Sequence, residues 1–538
     1  MRNINLNNKF FYNLYFILTI LFFCFLFIYL NFIQPRPYYL TLFTDVENDY
    51  FYNAKLLYNN YPVESVFHPG SIVFFISSII FHITGDNIDN SQFFFTYNYL
   101  FIIALNLAAF LYSINYLYKI SKSILPYLFF SFSIFAWPSY LVYLDRLSAD
   151  AYIGPISIFL SIKFFKLIEN KEFKLNKILM LSVLSGLGLA IKLNILPVVL
   201  IISLYFFLFG DNKFFSFSLL KNNLKYLLNY LIFTFVGFII FFLPSLNLAN
   251  IKKLIIIFYP RLLANDTNDI SILDQFYYSI KNSNFFIFTL FILIILFIYH
   301  SKSIIDKKIN LIFLFFFSIL TFFYYLTSVD LYSYLYDGSH TLHFYNYRQG
   351  ICIIPFLLLS FFKIINIEEK IPKSKKLFNV FSITVLFLIL FNFIIYIDYR
   401  KNLVLKHKNF LRENQNFVIN NFQDKTIALW LEQPSPIDLG SVSFHNWGNY
   451  KYSKLKFTNS LEKKYSKISM MYPVNKENKV VDFNFSINDI DIVIIHNHHL
   501  KNKFDLSIGE FIKILSKEYK INSWNYDKNI YVINLKKK

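Results

Sequence analysis

Residues 44–70, TDVENDYFYNAKLLYNNYPVESVFHPG, are the most unusual stretch of the chain, and the interpretation of the fold depends on them. They place Asp45, Glu47 and Asp49 within five residues, directly after an apolar segment long enough to cross a bilayer. The whole chain has only 33 acidic residues among 538. Charge at the edge of a membrane span is costly and is usually kept for chemistry. The triplet therefore predicts either a functional site beside the membrane or a solvated acidic loop.

The composition is that of a protein with many membrane spans. The chain is 56% hydrophobic and has many apolar runs close to the ~20 residues that a spanning helix needs. Its net charge of +19 comes from Lys and Arg in short loops between these runs. Such loops are typical of the cytoplasmic side and of contact with anionic membrane lipids. We therefore expect membrane lipids, and no nucleic acid, as partners.

Apolar runs and the distribution of Lys and Arg predict about eleven spans, with the N-terminus in the cytoplasm. The run 72–84 is too short for a span and precedes a loop without Lys or Arg, so we expect a re-entrant or interfacial helix there. The run 178–209 is too long for one span, and Lys192 and Pro197 interrupt it, which predicts two short helices joined by a turn. The other predicted spans are 11–33, 93–118, 125–143, 151–165, 230–246, 285–299, 311–327, 350–362 and 377–397.

The composition changes to a soluble pattern near residue 399. The segments TIALWL, DIVIIHN and IYVINL alternate or run apolar like strands, and GEFIKILSKEY has helical spacing. We therefore predict an α-helical polytopic transmembrane domain over residues 1–398. A small α/β domain over residues 399–538 is expected to follow it on the external, periplasmic side.

Four groups of polar residues fall on the predicted external side. The acid triplet with His68 is the first group, and Arg146 with Asp150 is the second. Carboxylates can act as a general base or hold a divalent ion, and cations can neutralise a phosphate. The third group surrounds Arg261, and the fourth contains His343, Tyr345 and Arg348. Carboxylates and cations on the same side suit a reaction on a lipid-linked phosphate at the membrane surface.

The chain resembles the GT-C glycosyltransferases over residues 11–400. TDVENDYFYNAKLL followed by HPGSIVFFISSIIFHITG is similar to their first external loop, and the later segments DRLSADAYIGPISIFL, GLGLAIKLNILPVVL and HFYNYRQGICIIPFL also look like the family. The resemblance is closest to protein O-mannosyltransferases and to the aminoarabinose transferases that act on lipid A. It implies an inverting transferase that moves a sugar from a polyprenyl-phosphate donor to a glycan, lipid or protein acceptor. It also implies that the protein lies in the bacterial inner membrane and that the reaction takes place on the non-cytoplasmic face.

The resemblance suggests roles for the acidic residues. It makes Asp45 the first choice for the general base that deprotonates the acceptor hydroxyl, with Glu47 and then Asp49 as competitors. Asp150 corresponds to the acid of the second loop, which orients the acceptor or a metal. The competing interpretation makes Asp150 the N-cap of the following helix. The carboxylates could hold Mg²⁺ or Mn²⁺, although the enzymes that the chain resembles need not use a metal, and we assign no metal ligand.

The basic and remaining polar residues also have alternatives. We expect Arg348 to bind the departing polyprenyl phosphate with His343 and Arg261, because a guanidinium group meets phosphate oxygens with two hydrogen bonds. The alternative for Arg348 is a cation that extends to the membrane interface. Lys192 has a structural or headgroup-binding role in preference to a catalytic one. His68 either contributes to the site or lies in a turn, and Tyr345 is a further candidate.

Other functional classes are compatible with a polytopic membrane protein. A transporter or flippase for lipid-linked glycans is expected to show internal repeats and charges near the bilayer midplane, and the sequence shows neither. A surface-polysaccharide polymerase or ligase also uses polyprenyl donors but is not expected to carry the acid triplet. A non-catalytic scaffold would tolerate the loss of all three acids.

Overall fold

The computed structural model is mostly helical, with one small sheet near the C-terminus. The chain divides into two compact units, one formed by Met1–Ile33, Val66–Val73 and Asn98–Asp398, the other by Gln34–Ser65, Phe74–Tyr97 and Tyr399–Lys538. The structure describes residues 2–34, 44–63, 70–85, 91–121, 127, 130–131, 134–135, 138–144, 146–170, 173–209, 220–246, 309–327, 351–365, 393–398, 400–402, 427–430, 468–475, 480–483, 491–496, 507–516, 520–527 and 530–536.

The helices other than α2 and α12 follow apolar segments of the sequence. They are α1 (Arg2–Ile28, continued by a π-helical turn Tyr29–Ile33), α2 (Thr44–Tyr58), α3 (Ser71–Thr84), α4 (Ser91–Ser121), α5 (Pro138–Tyr143), α6 (Asp150–Asn170), α7 (Leu175–Ile191), α8 (Leu196–Phe209), α9 (Leu220–Phe242), α10 (Ile309–Thr327), α11 (Ile354–Ile365) and α12 (Ile508–Ser516).

Within the described residues, four helical segments are long and apolar enough to cross a membrane by length and composition. These segments are Tyr12–Ile33, Gln92–Ile120, Asp150–Asn170 and Lys221–Ser245. The expected fold class is confirmed in this coarse form, as a mostly helical chain with several candidate spans and a small sheet. The predicted total of about eleven spans stays a prediction, since 285–299 and most of 377–397 lie outside the described residues.

Ring contacts fix the directions of the helices in the first unit. Helices α4 and α6 run parallel, because Phe101 lies near Tyr152, with ring centroids 6.2 Å apart, and Tyr112 lies near Phe159, at 5.6 Å. Helix α1 runs antiparallel to α4, since Tyr12 packs on the Tyr118 ring at 4.5 Å and Phe23 lies 5.5 Å from the Phe110 ring. These relative directions agree with the predicted order of spans. We call the two ends of this unit the Asp150 end, where α6 begins, and the Glu169 end, where α6 finishes.

The predicted break in the long apolar run is confirmed. Helix α7 ends at Ile191, Lys192 is extended with φ −159° and ψ 132°, and a 3-10 turn over Leu193–Ile195 leads into α8. The ring of Phe173, just before α7, lies 6.0 Å from that of Phe206 near the end of α8. The two helices therefore run antiparallel, and Lys192 lies at their turn on the Asp150 end.

Helix α9 packs against α7 through glycine. A Cβ atom on Gly186 would lie 2.5 Å from the backbone nitrogen of Phe238 and 2.6 Å from the carbonyl oxygen of Thr234. Only a residue without a side chain allows two helices to approach this closely, a feature typical of membrane helices. Helix α9 begins ten residues before the predicted span 230–246. Its first turns carry exposed Lys221. Because such polar residues interrupt the apolar run, the predicted span began later than the helix does.

Helix α3 covers the predicted re-entrant segment. With 14 residues it is about 21 Å long, less than the ~30 Å thickness of the hydrocarbon layer. Its first residue, Ser71, donates a hydrogen bond to the hydroxyl of Ser245, 2.7 Å away. The short helix is confirmed, and its return to the same side of the membrane stays a prediction.

The C-terminal sheet confirms the expected α/β pattern. Its strands are β1 (Ile427–Trp430), β2 (Ile468–Asn475), β3 (Val480–Phe483), β4 (Ile492–His496), β5 (Lys520–Asp527) and β6 (Ile530–Lys536), in the order β3-β2-β1-β4-β6-β5. Strand β1 is parallel to β2 and β4, and the outer pairs are antiparallel. Residues of β4, β6 and α12 form the buried core of this domain, among them Val493, Ile533 and Phe511.

Candidate functional site

A buried ion pair joins two of the predicted site residues. The Nζ atom of Lys192 donates a hydrogen bond to Oδ1 of Asp150 over 2.5 Å. The Asp150 side chain is 5% exposed and that of Lys192 is 16% exposed. Because both groups are largely removed from water, their attraction is stronger than that of a surface pair.

Local structure explains how each partner reaches the other. Asp150 is the first residue of α6, where a negative charge is favoured by the helix dipole. Lys192 interrupts the helical run between α7 and α8, and its backbone nitrogen donates to the carbonyl oxygen of Gly188 over 2.9 Å. The side chain therefore leaves the turn at the Asp150 end. The capping alternative for Asp150 stays a prediction, and its ion pair with Lys192 is a contact that the sequence did not predict.

The loop before α6 adds further buried polar groups. Arg146 is 4% exposed, and its guanidinium carbon lies 5.4 Å from the centre of the Tyr143 ring. The hydroxyls of Ser148 and Tyr152 are buried and have no hydrogen-bond partner among the described residues. Buried polar groups are normally paired with protein or water. Both hydroxyls belong to residues that stand two positions from Asp150 in the chain.

A hydrogen-bonded contact between three helices holds the start of α6. The hydroxyl of Tyr140 donates to Oδ1 of Asn106 over 2.6 Å, and the amide of Asn106 donates to the carbonyl oxygen of Ala151 over 3.4 Å. Gly154 permits this approach, because a Cβ atom there would lie 3.1 Å from the Tyr140 ring. The contact therefore fixes the backbone on which Asp150 stands. No motif in the sequence pointed to Asn106 or Tyr140.

The segment before α11 reaches the same end of the unit. The thiol of Cys352 donates to the carbonyl oxygen of Asn194 over 3.5 Å, next to the turn that carries Lys192. Arg348 stands four residues before Cys352 in the sequence but lies outside the described residues. Its predicted contact with a phosphate therefore stays a prediction. Four other candidate site residues also lie outside the described residues, so their roles stay predictions: His68, Arg261, His343 and Tyr345.

The acid triplet lies on a helix of the second unit. Helix α2 begins at Thr44 and contains all three acids. Glu47 is 1% exposed and is three residues before buried Tyr50 and seven before buried Ala54, so it shares the buried face of the helix. The side chains of Asp45 and Asp49 lie outside the described residues. A solvated loop is thus wrong for Glu47, since this acid is buried within a helix.

No metal centre is evident in the described part of the chain. No group of three or more His, Cys, Asp or Glu side chains is placed there to hold a metal ion. The Asp150 carboxylate has Lys192 as its neighbour, an arrangement that disfavours a second cation at the same oxygen. The expected Mg²⁺ or Mn²⁺ therefore stays a prediction for the carboxylates of the acid triplet.

Comparison with known proteins gives no assignment. The chain matches no protein-family model, and a search of the curated proteins finds no significant match. The functional argument therefore depends on the residues of the chain and their contacts.

Proposed function

We propose that the protein is an integral-membrane inverting glycosyltransferase that uses a polyprenyl-phosphate-linked sugar. Its acceptor is a glycan, lipid or protein on the non-cytoplasmic face of the membrane. The observation that carries this proposal is the buried Asp150–Lys192 pair, with buried Arg146 four residues before Asp150 in the chain. The side chains of Lys192 and Arg146 carry several N–H donors, which suit an anionic ligand with hydrogen-bond acceptors.

The proposed reaction needs a base and a stabilised leaving group. The acceptor hydroxyl oxygen attacks the anomeric carbon, and the bond between that carbon and the phosphate oxygen breaks. The electron pair leaves with the polyprenyl phosphate, and the hydroxyl proton passes to a carboxylate of the acid triplet. Base catalysis of this kind contributes about 10²–10⁴ in rate. Cationic side chains stabilise the phosphate as its charge develops.

Glu47 stays among the candidate bases together with Asp45 and Asp49. It is 1% exposed and lies on the same helix, α2, as the other two acids. The predicted order of preference, Asp45, Glu47 and Asp49, is tested by substitution of each acid alone.

Charge at the Glu169 end supports the proposed orientation. The described lysines at this end of the first unit are Lys9, Lys119, Lys163, Lys166, Lys174, Lys177, Lys221, Lys225 and Lys363. Cytoplasmic ends of membrane helices carry such an excess of Lys and Arg. The Asp150 end then faces the exterior, where lipid-linked sugars are used in the family that the sequence resembles. The C-terminal α/β domain is proposed to lie on that side too.

The position of the ion pair distinguishes this proposal from transport. Transporters hold substrates and coupling ions near the bilayer midplane, at interrupted helices. Asp150 is the first residue of a 21-residue helix, about 31 Å long, so the pair lies at the end of the helix and far from its middle. This placement favours chemistry at the membrane surface.

Paired carboxylate variants test the proposal. Asp150→Asn and Glu169→Gln each remove one carboxylate that pairs with a lysine, at opposite ends of α6. Membranes carrying each variant are assayed for the release of polyprenyl phosphate from a labelled polyprenyl-phosphate sugar. We expect Asp150→Asn to lower the rate at least tenfold and Glu169→Gln to lower it less than twofold, at equal amounts of folded protein. Equal rates for both variants would contradict a role for the Asp150 end.

A further inference from the structure

A second polar site lies at the Glu169 end, away from the proposed catalytic residues. The ammonium groups of Lys163 and Lys166, one turn apart on α6, both approach Tyr112 of α4. Lys166 Nζ donates to the Tyr112 hydroxyl over 2.9 Å and lies 4.3 Å from the ring centre, while Lys163 Nζ lies 5.8 Å from that centre. Two like charges thus converge on one phenol group.

Neither ammonium group is neutralised within the described part of the chain. The sulfur of Met180 on α7 accepts from Lys163 Nζ over 3.6 Å, and a thioether is a weak acceptor for an ammonium group. The nearest carboxylate along α6, that of Glu169, forms an ion pair with Lys363 of α11. Two positive charges therefore remain in excess around Tyr112, which favours an anion with several acceptor oxygens.

The surroundings indicate the kind of anion. Leu179, Met180 and Val183 of α7 are 39%, 47% and 36% exposed, so an apolar surface continues from the two lysines along the helix. Lys166 stands four residues before the end of α6, about 6 Å of helical rise, at the depth where headgroups meet acyl chains. A ligand with a phosphate at one end and hydrocarbon at the other matches both features.

We infer that Tyr112, Lys163, Lys166 and Met180 form a binding site for the phosphate headgroup of an anionic phospholipid. The phosphate oxygens accept hydrogen bonds from the two ammonium groups, and an acyl chain lies along the exposed side of α7. Basic sites between membrane helices bind lipid headgroups in this way. The inference requires that the protein lies in a bilayer, and it is independent of sugar transfer.

Lipid retention by the full-length protein tests the inference. Protein in detergent is offered equal amounts of phosphatidylglycerol and phosphatidylcholine, and the bound lipids are counted by native mass spectrometry. The double variant Lys163→Gln/Lys166→Gln is compared with Lys174→Gln/Lys177→Gln, which removes the same charge at the same spacing from exposed positions. We expect the first variant to bind phosphatidylglycerol about 25-fold more weakly, about fivefold for each cation, and the control to change less than threefold.

Further measurements separate the alternatives. Tyr112→Phe retains the ring and removes the hydroxyl that holds Lys166, so it should weaken phosphatidylglycerol binding severalfold without loss of folding. Addition of 10 mM inorganic phosphate should leave the bound lipid in place, at roughly the ratio seen without it, since apolar contacts add to its affinity. Displacement by inorganic phosphate would overturn the lipid assignment. Equal losses in the site variant and the control would show that the lysines only extend to the interface.

Discussion

Lys192 and Asp150 lie 42 residues apart in the chain, and their charged atoms are 2.5 Å apart at the beginning of α6. The pair connects the turn between α7 and α8 with the first residue of α6. The ion pair therefore lies at the Asp150 end of the first unit, the end that also carries buried Arg146. Stability and activity must be separated to assign its role.

Single and double variants of Asp150 and Lys192 separate the effect of the ion pair on stability from its effect on activity. Asp150→Asn or Lys192→Met alone leaves one buried group without its counter-charge, which we expect to destabilise the protein by about 3–5 kcal/mol. The double variant Asp150→Asn/Lys192→Met leaves no uncompensated charge and should recover most of that loss in thermal melting. Sugar transfer should remain low in the double variant. A stable double variant with normal transfer would assign the pair to structure alone.

Removal of the hydroxyl group from two tyrosines of the same region should have different effects on stability. Tyr140→Phe removes the donor to Oδ1 of Asn106 and should cost about 1–3 kcal/mol, because a buried acceptor loses its hydrogen bond. Tyr152→Phe removes a buried hydroxyl that has no partner among the described residues, so stability should be unchanged or higher. If the Tyr152 hydroxyl contacts a ligand, Tyr152→Phe lowers transfer at full stability. A melting temperature lowered equally by both changes would argue against the Asn106 contact.

The glycine contact between α7 and α9 gives a packing prediction. Gly186→Ala places a methyl group against the backbone of Phe238 and should destabilise the protein by about 1–3 kcal/mol, since the helices must separate. Gly509→Ala in α12 is the matched control, because among the described residues a Cβ atom there meets only the Ser507 hydroxyl, at 4.0 Å. Alanine also favours the helix, so the control should be neutral or stabilising. Equal melting temperatures for the two variants would contradict the close approach of the helices.

The sequence predicted the parts of the fold that depend on local patterns. Apolar runs located the long helices, and Lys192 with Pro197 marked the break before α8, because charge and proline both interrupt an apolar helix. Strands β1, β4 and β6 were also predicted, as each has a compact apolar segment. Strands β2, β3 and β5 were not predicted, because polar residues or proline interrupt their apolar residues.

Contacts between distant residues could not be predicted in the same way. Asp150 and Lys192 each stood out as a charge beside an apolar run, but nothing in the sequence paired them. The contact of Tyr140 with Asn106 depends on the packing of α4 and α5 near Gly154. The burial of Glu47 follows from its position relative to Tyr50 and Ala54, and it became evident once the acid triplet proved to be helical.

The most direct test of the central proposal measures sugar transfer with the acid triplet intact and removed. Membranes carrying the wild-type chain are given a labelled polyprenyl-phosphate sugar, and free polyprenyl phosphate is measured over time. The same assay is applied to Asp45→Asn, Glu47→Gln and Asp49→Asn singly and together, at matched expression. We expect transfer by the wild type, a loss of about 10²–10⁴ in rate with at least one single variant, and no transfer by the triple variant. Transfer by the triple variant at the wild-type rate would contradict the account.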